Sequence, residues 1–129
     1  MPTIITMPTG LRVNRGDVVL LPISFVSGQG AKVRPAVVVQ NDNLNARLNS
    51  TVVAIVTSTN VRAHVEPSQL FIDIGTADGR QTGLLHNSTV KAEHLDTVDQ
   101  RDIVRKIGKF SLALMQQLEQ CVKAALAFT

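Results

Sequence analysis

The chain has 129 residues, 44% of them apolar and 18% charged, with a net charge of +3 and a pI near 9.5. This composition fits one globular domain large enough for a real core, and it excludes a disordered segment; no apolar run approaches the ~20 residues of a membrane-spanning helix. The single cysteine, Cys121, excludes an internal disulfide and a cysteine-based zinc site, and the absence of Trp and Tyr leaves few platforms for stacking bases. The modest positive charge suits a partner carrying phosphates or acidic side chains.

Residues 1–14, with two Met-Pro-Thr steps, read as a loosely ordered extension or an added edge strand. They lack the charged and apolar regions of a signal peptide, so a cytoplasmic location is expected. Residues 15–129 read as a single domain. Three short apolar runs follow, Val18 to Pro22, Pro35 to Gln40 and Val52 to Val56. Each is β-branched and bounded by Gly, Pro, Asn or Ser, the pattern of buried strands. Pro22 is tolerable only near a strand end or on an edge. The polar residues at the ends of these runs set the stretch apart. Arg34 stands directly before Pro35, Thr57, Ser58 and Thr59 close the third run, and a pliable loop from Ser24 to Val33 holds Gly28, Gln29, Gly30 and Lys32. A fixed guanidinium, a set of hydroxyls and a flexible lid make a candidate anion site.

The Asn-rich connection 41–50 has room for one helical turn around Leu44 to Leu48. A weak strand pattern covers Val61 to Pro67 and a better one Gln69 to Ile74. Thr76 to Gly83, TADGRQTG, is a loop by composition. Ser88 to Leu95 reads as a strand with Val90, Ala92 and His94 on one face, Thr97 to Ile103 as a short helical or turn segment, and Val104 to Phe110 as a last strand. Ser111 is a natural N-cap for a helix over 111–127, whose apolar residues Leu112, Met115, Leu118, Val122 and Leu126 recur at helical spacing. Strands first and one long helix last predict a β-rich α+β domain.

Four blocks resemble, in order and spacing, the MazF/PemK (Kid) toxins of bacterial toxin–antitoxin pairs. They are Arg15 to Val19 (RGDVV), Val33 to Val39 (VRPAVVV), Ala54 to Ser58 (AIVTS), and the tail formed by Thr97 to Arg101 (TVDQR) with Arg105 to Ser111 (RKIGKFS). The resemblance covers most of the chain from Arg15 onward. It implies a small SH3-like barrel (CcdB/Kid/MazF-like) with a C-terminal helix and a homodimer. It also implies a metal-independent, cofactor-free endoribonuclease that cuts single-stranded RNA, chiefly mRNA, and is neutralised by a cognate antitoxin.

On the residues alone, Arg34 is either a phosphate-binding fork or an arginine that orders a loop, and Thr57 is either a phosphate ligand or a turn residue. The resemblance assigns both to catalysis. It places Gln29, Lys32, Ser58, Thr59, Glu93 and His94 along the RNA. Gln29 stands where many relatives carry Glu, His94 where Gln is common and Asp96 where Arg is common, which bears on base preference. Acid–base work is less well served: an arginine, which holds its proton so tightly, is a poor base, and Glu93 and His94 are the sequence's own candidates, with a plain strand role as the alternative for His94. His64 and His86 lack ligand-like spacing with each other or with His94. Arg101, Arg105, Lys106 and Lys109 form a basic cluster that either steers RNA or is a solvated strip. Two other readings share the fold: a CcdB-like poison of DNA gyrase, and a catalytically silent barrel module.

Overall fold

The computed structural model describes residues 12–24, 31–58 and 66–128. In chain order they form β1 (Asp17–Ser24), β2 (Ala31–Val38), α1 (Asp42–Arg47), β3 (Ser50–Thr57), β4 (Gln69–Ile72) and α2 (Ala77–Gln81). Then come β5 (Ser88–Asp99), a 3-10 turn (Gln100–Asp102), β6 (Arg105–Lys109) and α3 (Leu112–Leu126). The strands make one antiparallel sheet in the order β4-β5-β3-β2-β1-β6, curled into a half-barrel.

Strand alternation sorts the aliphatic residues onto two faces. Val18, Val37, Ala54, Val56 and Val90 point toward α3, which buries Leu114, Met115, Leu118 and Cys121 against them. Val13, Val19, Leu21, Ala36, Val38, Val53, Ile55 and Ile103 fill the other face. Each fully buried Val or Leu contributes about 1.5–3 kcal/mol, so these aliphatic layers carry the stability that the near absence of aromatics leaves open. Pro22 lies in β1 beyond the last pairing with β6, Leu20↔Arg105, where its missing N–H breaks no bond to that neighbour.

The RGD block is structural. Gly16 has φ +97°, a conformation other residues rarely adopt, and its N–H donates to the Val38 carbonyl while its own carbonyl accepts from Phe110 N. Asp17, buried, accepts from Asn14 N at 2.7 Å and pairs with Lys106 at 3.3 Å. Arg15 reaches Glu119 on α3 at 2.9 Å. The turn therefore joins β1, β2 and the entry to the last helix. The TVDQR block is also structural. Gln100, fully buried, donates to the carbonyls of Asn45 and Leu48 and accepts from Val13 N, while Asn45 accepts from the Thr51 hydroxyl at 2.6 Å.

Several elements differ from the sequence expectations. Arg12 to Asn14, assigned to the extension, pack into the domain: Val13 is buried and Arg12 donates to the Asn45 and Leu48 carbonyls. The rest of the extension and residues 61–65 of the weak Val61–Pro67 strand lie outside the described residues, and Glu66 and Pro67 are not strand. Thr76 to Gly83, expected as loop, contains α2, capped by the Thr76 hydroxyl accepting from Gly79 N. β5 runs on through Thr97 to Asp99, so only Gln100–Asp102 is helical. His94 does not share a face with Val90 and Ala92. Ala54 faces Leu95 while Ile55 faces Lys91, so Ala92, Glu93 and His94 bulge out between them. On α3, Leu112 and Leu126 are exposed, and the buried stripe is turned to Leu114, Met115, Leu118 and Cys121 because the helix leans on β5 and β4.

Candidate active site

The β-branched runs that form β2 and β3 place the polar residues at their ends side by side. Ala36 pairs with Ile55, Val37 with Ala54 and Val38 with Val53. The pairing ends there, and two residues further on the strand alternation puts Arg34 of β2 and Thr57 of β3 at the same end of the sheet, on the face of Ala36 and Ile55. Across the next pairing Thr57 faces Thr89 of β5. Arg34, Thr57 and Thr89 thus form one polar row over three strands, at the end of the sheet remote from the Gln100 cluster. Thr57 and Thr89, directly opposite in an antiparallel pair, have Cβ atoms roughly 4.5–5.5 Å apart.

The row is graded in exposure. Arg34 and Thr57 are half-buried, Thr89 is 3% exposed, and the Arg34 Nε lies out of solvent. Partial burial strengthens a guanidinium–phosphate contact by thinning the screening water. Lys32, opposite Ile23 on the same face as Arg34, is exposed at the mouth of the loop. Ser58 is exposed directly beyond Thr57. Gln29 and Thr59 lie outside the described residues.

Glu93 and His94 stand apart from the row. Their bulge lies opposite Ala54 and Ile55, two to three residues or roughly 7–10 Å down the strand from Thr57. The Glu93 carboxylate accepts from Ser68 Oγ at 2.8 Å and Gln69 Nε2 at 2.7 Å. Its partial burial favours the neutral acid, but bonds from Gln69, its own backbone amide and Ser68, with the charge of Lys91, outweigh that and hold it below the usual carboxylate range. An anion so well satisfied is a weak proton acceptor, which argues against Glu93 as a general base. It also lies near α3: burial first, and then the charge of Glu93, push the Cys121 thiol up, so Cys121 is a poor nucleophile. His94 is exposed on the bulge.

A cleft of about 500 Å³ opens on the other face of the sheet, since Pro35 and Leu20 on its wall alternate with Arg34 and Leu21. Ser58, His86, Arg105 and Lys106 give it polar edges. Its apolar residues were not singled out in the sequence, because no local pattern shows that the α2–β5 connection folds over β6. Of the basic cluster, Arg101 is paired with Asp99 at 2.7 Å and Lys106 with Asp17, which reduces the positive field it offers. Among the described residues, no three His, Cys, Asp or Glu side chains gather as a metal ion would require, and no helix is long and apolar enough to cross a membrane.

Comparison with known proteins decides the family. Residues 14–126 match the family model described as the PemK-like, MazF-like toxins of type II toxin–antitoxin systems. The chain belongs to this family. Among its relatives, Endoribonuclease MazF9 of Mycobacterium tuberculosis is 32% identical over 115 residues, covering 86% of this chain and 93% of that protein. Endoribonuclease EndoA of Bacillus subtilis is 30% identical over 117 residues, covering 89% and 95%. The fold matches that of a mycobacterial endoribonuclease solved with its cognate antitoxin, with a TM-score of 0.72 at 20% identity, covering 91% of this chain and 97% of that one. It also matches MazF in a MazE–MazF complex of Deinococcus radiodurans, with a TM-score of 0.64 at 19% identity over 91% and 97%. A β-rich half-barrel with a C-terminal helix is the architecture this PemK/MazF-type chain shares with them.

Proposed function

We propose that this MazF-type toxin cuts single-stranded RNA, mRNA above all, at short specific sequences without a metal or cofactor. That it is an endoribonuclease accords with its family and with relatives that carry that name and match along nearly their whole length. In the proposed step the 2′-oxygen adjoining the scissile phosphate forms a bond to phosphorus and the bond to the 5′-oxygen breaks. A proton leaves the 2′-hydroxyl, one reaches the departing 5′-oxygen, and the products are a 2′,3′-cyclic phosphate and a 5′-hydroxyl. Arg34 offsets charge on the phosphorane oxygens and takes part in proton transfer, and Thr57 holds the phosphate.

Lys32, which lies at the start of β2 and not in a loop as the sequence suggested, and Gln29 in the connection before it would cover the RNA and read its bases, with Ser58, Thr59, Glu93 and His94 along its path. A cognate antitoxin occupying the same groove would silence the enzyme, and the active unit would be a homodimer in the cytoplasm. The observation that supports the reading is that β2 and β3 carry Arg34 and Thr57 at the same end and on the same face of the sheet. A gyrase poison needs no such pair, and a silent module would not arrest growth on expression.

The test is incubation of chelator-treated protein with a long unstructured RNA, followed by mapping of the cut ends. Cuts at one short motif with cyclic phosphate ends, lost in Arg34→Ala, are expected. Intact RNA from folded wild-type protein, or full cleavage by Arg34→Ala, would overturn the reading.

A further inference from the structure

We propose that Thr89 is a positioning residue for the reaction: with the phosphate bound, its side chain turns so that its hydroxyl donates to the Thr57 oxygen while Thr57 donates to the phosphate. The inference rests on the assignment of Thr57 above. Among the described residues four hydroxyl side chains are buried, and three donate to an oxygen of the fold. Thr51 donates to Asn45 Oδ1 at 2.6 Å, Thr82 to the Gly79 carbonyl at 2.6 Å and Ser88 to the His86 carbonyl at 2.8 Å. The Thr89 Oγ1 is buried without a hydrogen-bond partner.

A strand needs a β-branched residue here at most, and valine would supply the same shape without burying an unpaired hydroxyl. The position of that hydroxyl explains its cost. Thr89 lies between Thr57 on β3 and Phe71 on β4, and its side chain shares a face with both. It is too deeply buried to meet a phosphate itself, so it acts through Thr57. A chain from the Thr89 O–H to the Thr57 O–H to a phosphate oxygen fixes the Thr57 proton outward. It also strengthens that donor, because successive hydrogen bonds polarise one another. The chain strengthens as negative charge builds on the phosphorane oxygens, so it favours the transition state over bound RNA.

The experiment is single-turnover RNA cleavage and thermal unfolding of Thr57→Val, Thr89→Val, Thr89→Ser and the Thr57→Val/Thr89→Val pair. Thr89→Val is expected to slow cleavage about three- to tenfold, the range one hydrogen bond commands, with RNA affinity unchanged and thermal stability equal or higher. Thr89→Ser, which keeps the hydroxyl, should restore the rate. In the Thr57→Val background, Thr89→Val should have no further effect, since the group it serves is gone. Wild-type cleavage by Thr89→Val beside a crippled Thr57→Val would overturn this inference alone, as would an equal loss in both backgrounds. A Thr57→Val protein that cuts like wild type would overturn the assignment of Thr57 and this inference together.

Discussion

Thr51 and Thr57 sit at opposite ends of the same face of β3, with Val53 and Ile55 of the apolar cluster between them. Around Thr51 the buried polar groups answer one another. Its hydroxyl meets Asn45, Asn45 meets Gln40, and Gln100 ties α1, β3 and the segment at Val13 together. At the other end Thr89, the cross-strand neighbour of Thr57, is buried yet has an unpaired hydroxyl. A satisfied buried network rigidifies a fold, whereas an unsatisfied group carries a cost that the fold does not recover. The contrast marks one end of the strand as framework and the other as site, and substitutions at the two ends should separate stability from activity.

The largest effect belongs to the site end. Arg34→Ala should lower the cleavage rate by about 10²–10³-fold, the scale for a removed oxyanion donor, with thermal unfolding little changed. Cleavage kinetics beside circular dichroism would check it. Gln100→Leu at the framework end should do the reverse. The Asn45 and Leu48 carbonyls keep Arg12 as a donor, so the group left unsatisfied is Val13 N, at a cost of about 1–3 kcal/mol. Denaturant unfolding should register that loss, while the folded fraction cuts RNA at the wild-type rate. A Gln100→Leu protein of full stability would show that the network is not what holds this end together.

The same conservative change then sharpens the comparison. Thr51→Val removes a 2.6 Å bond and should destabilise by about 0.5–1.5 kcal/mol without slowing cleavage. Thr89→Val should leave stability intact and slow cleavage. If both threonines respond alike, the distinction between framework and site along β3 fails.

Much of this framework is legible in the sequence. β1, β2 and β3 announce themselves as β-branched runs between breakers, and Ser111 does cap the last helix, its hydroxyl accepting from Leu114 N. What eluded sequence reasoning depended on contacts distant in the chain. α2 hides in TADGRQTG because its glycines read as turn residues. Gly83 is needed for another reason: at φ +74° a side chain there would collide with the Ile107 carbonyl of β6. The β5 bulge leaves only a faint trace, the break in alternation at Glu93 and His94, and only pairing with β3 exposes the three extra residues. Leu112 and Leu126 fit the helical period, yet the direction in which α3 leans is a tertiary fact.

The proposed site is legible in part. Arg34 and Thr57 stand out as polar residues at strand ends, and only the family resemblance raises them above loop-ordering residues. Thr89 carried no signal of its own. A threonine inside a strand is ordinary until the register shows that it faces Thr57.

Glu93 offers the smallest and most diagnostic effect. Its carboxyl is held below its ordinary value near 4.5 in the folded chain, chiefly by the bonds from Gln69, its own backbone amide and Ser68 overcoming desolvation. A depressed carboxyl stabilises the fold fully above its unfolded value, and that contribution is lost as the pH falls through the folded value. The loss should therefore begin below about pH 4.5 and be small, because the side chain is largely exposed to solvent and its interactions are screened. Glu93→Gln should flatten that acid limb of the stability profile. Because Glu93 is so well solvated by its donors, Glu93→Gln should also leave the pH dependence of cleavage near neutrality unaltered. A shift of the pH–rate profile in this variant would instead make Glu93 a proton carrier, and would move the chemistry from the Arg34–Thr57 row toward the bulge of β5.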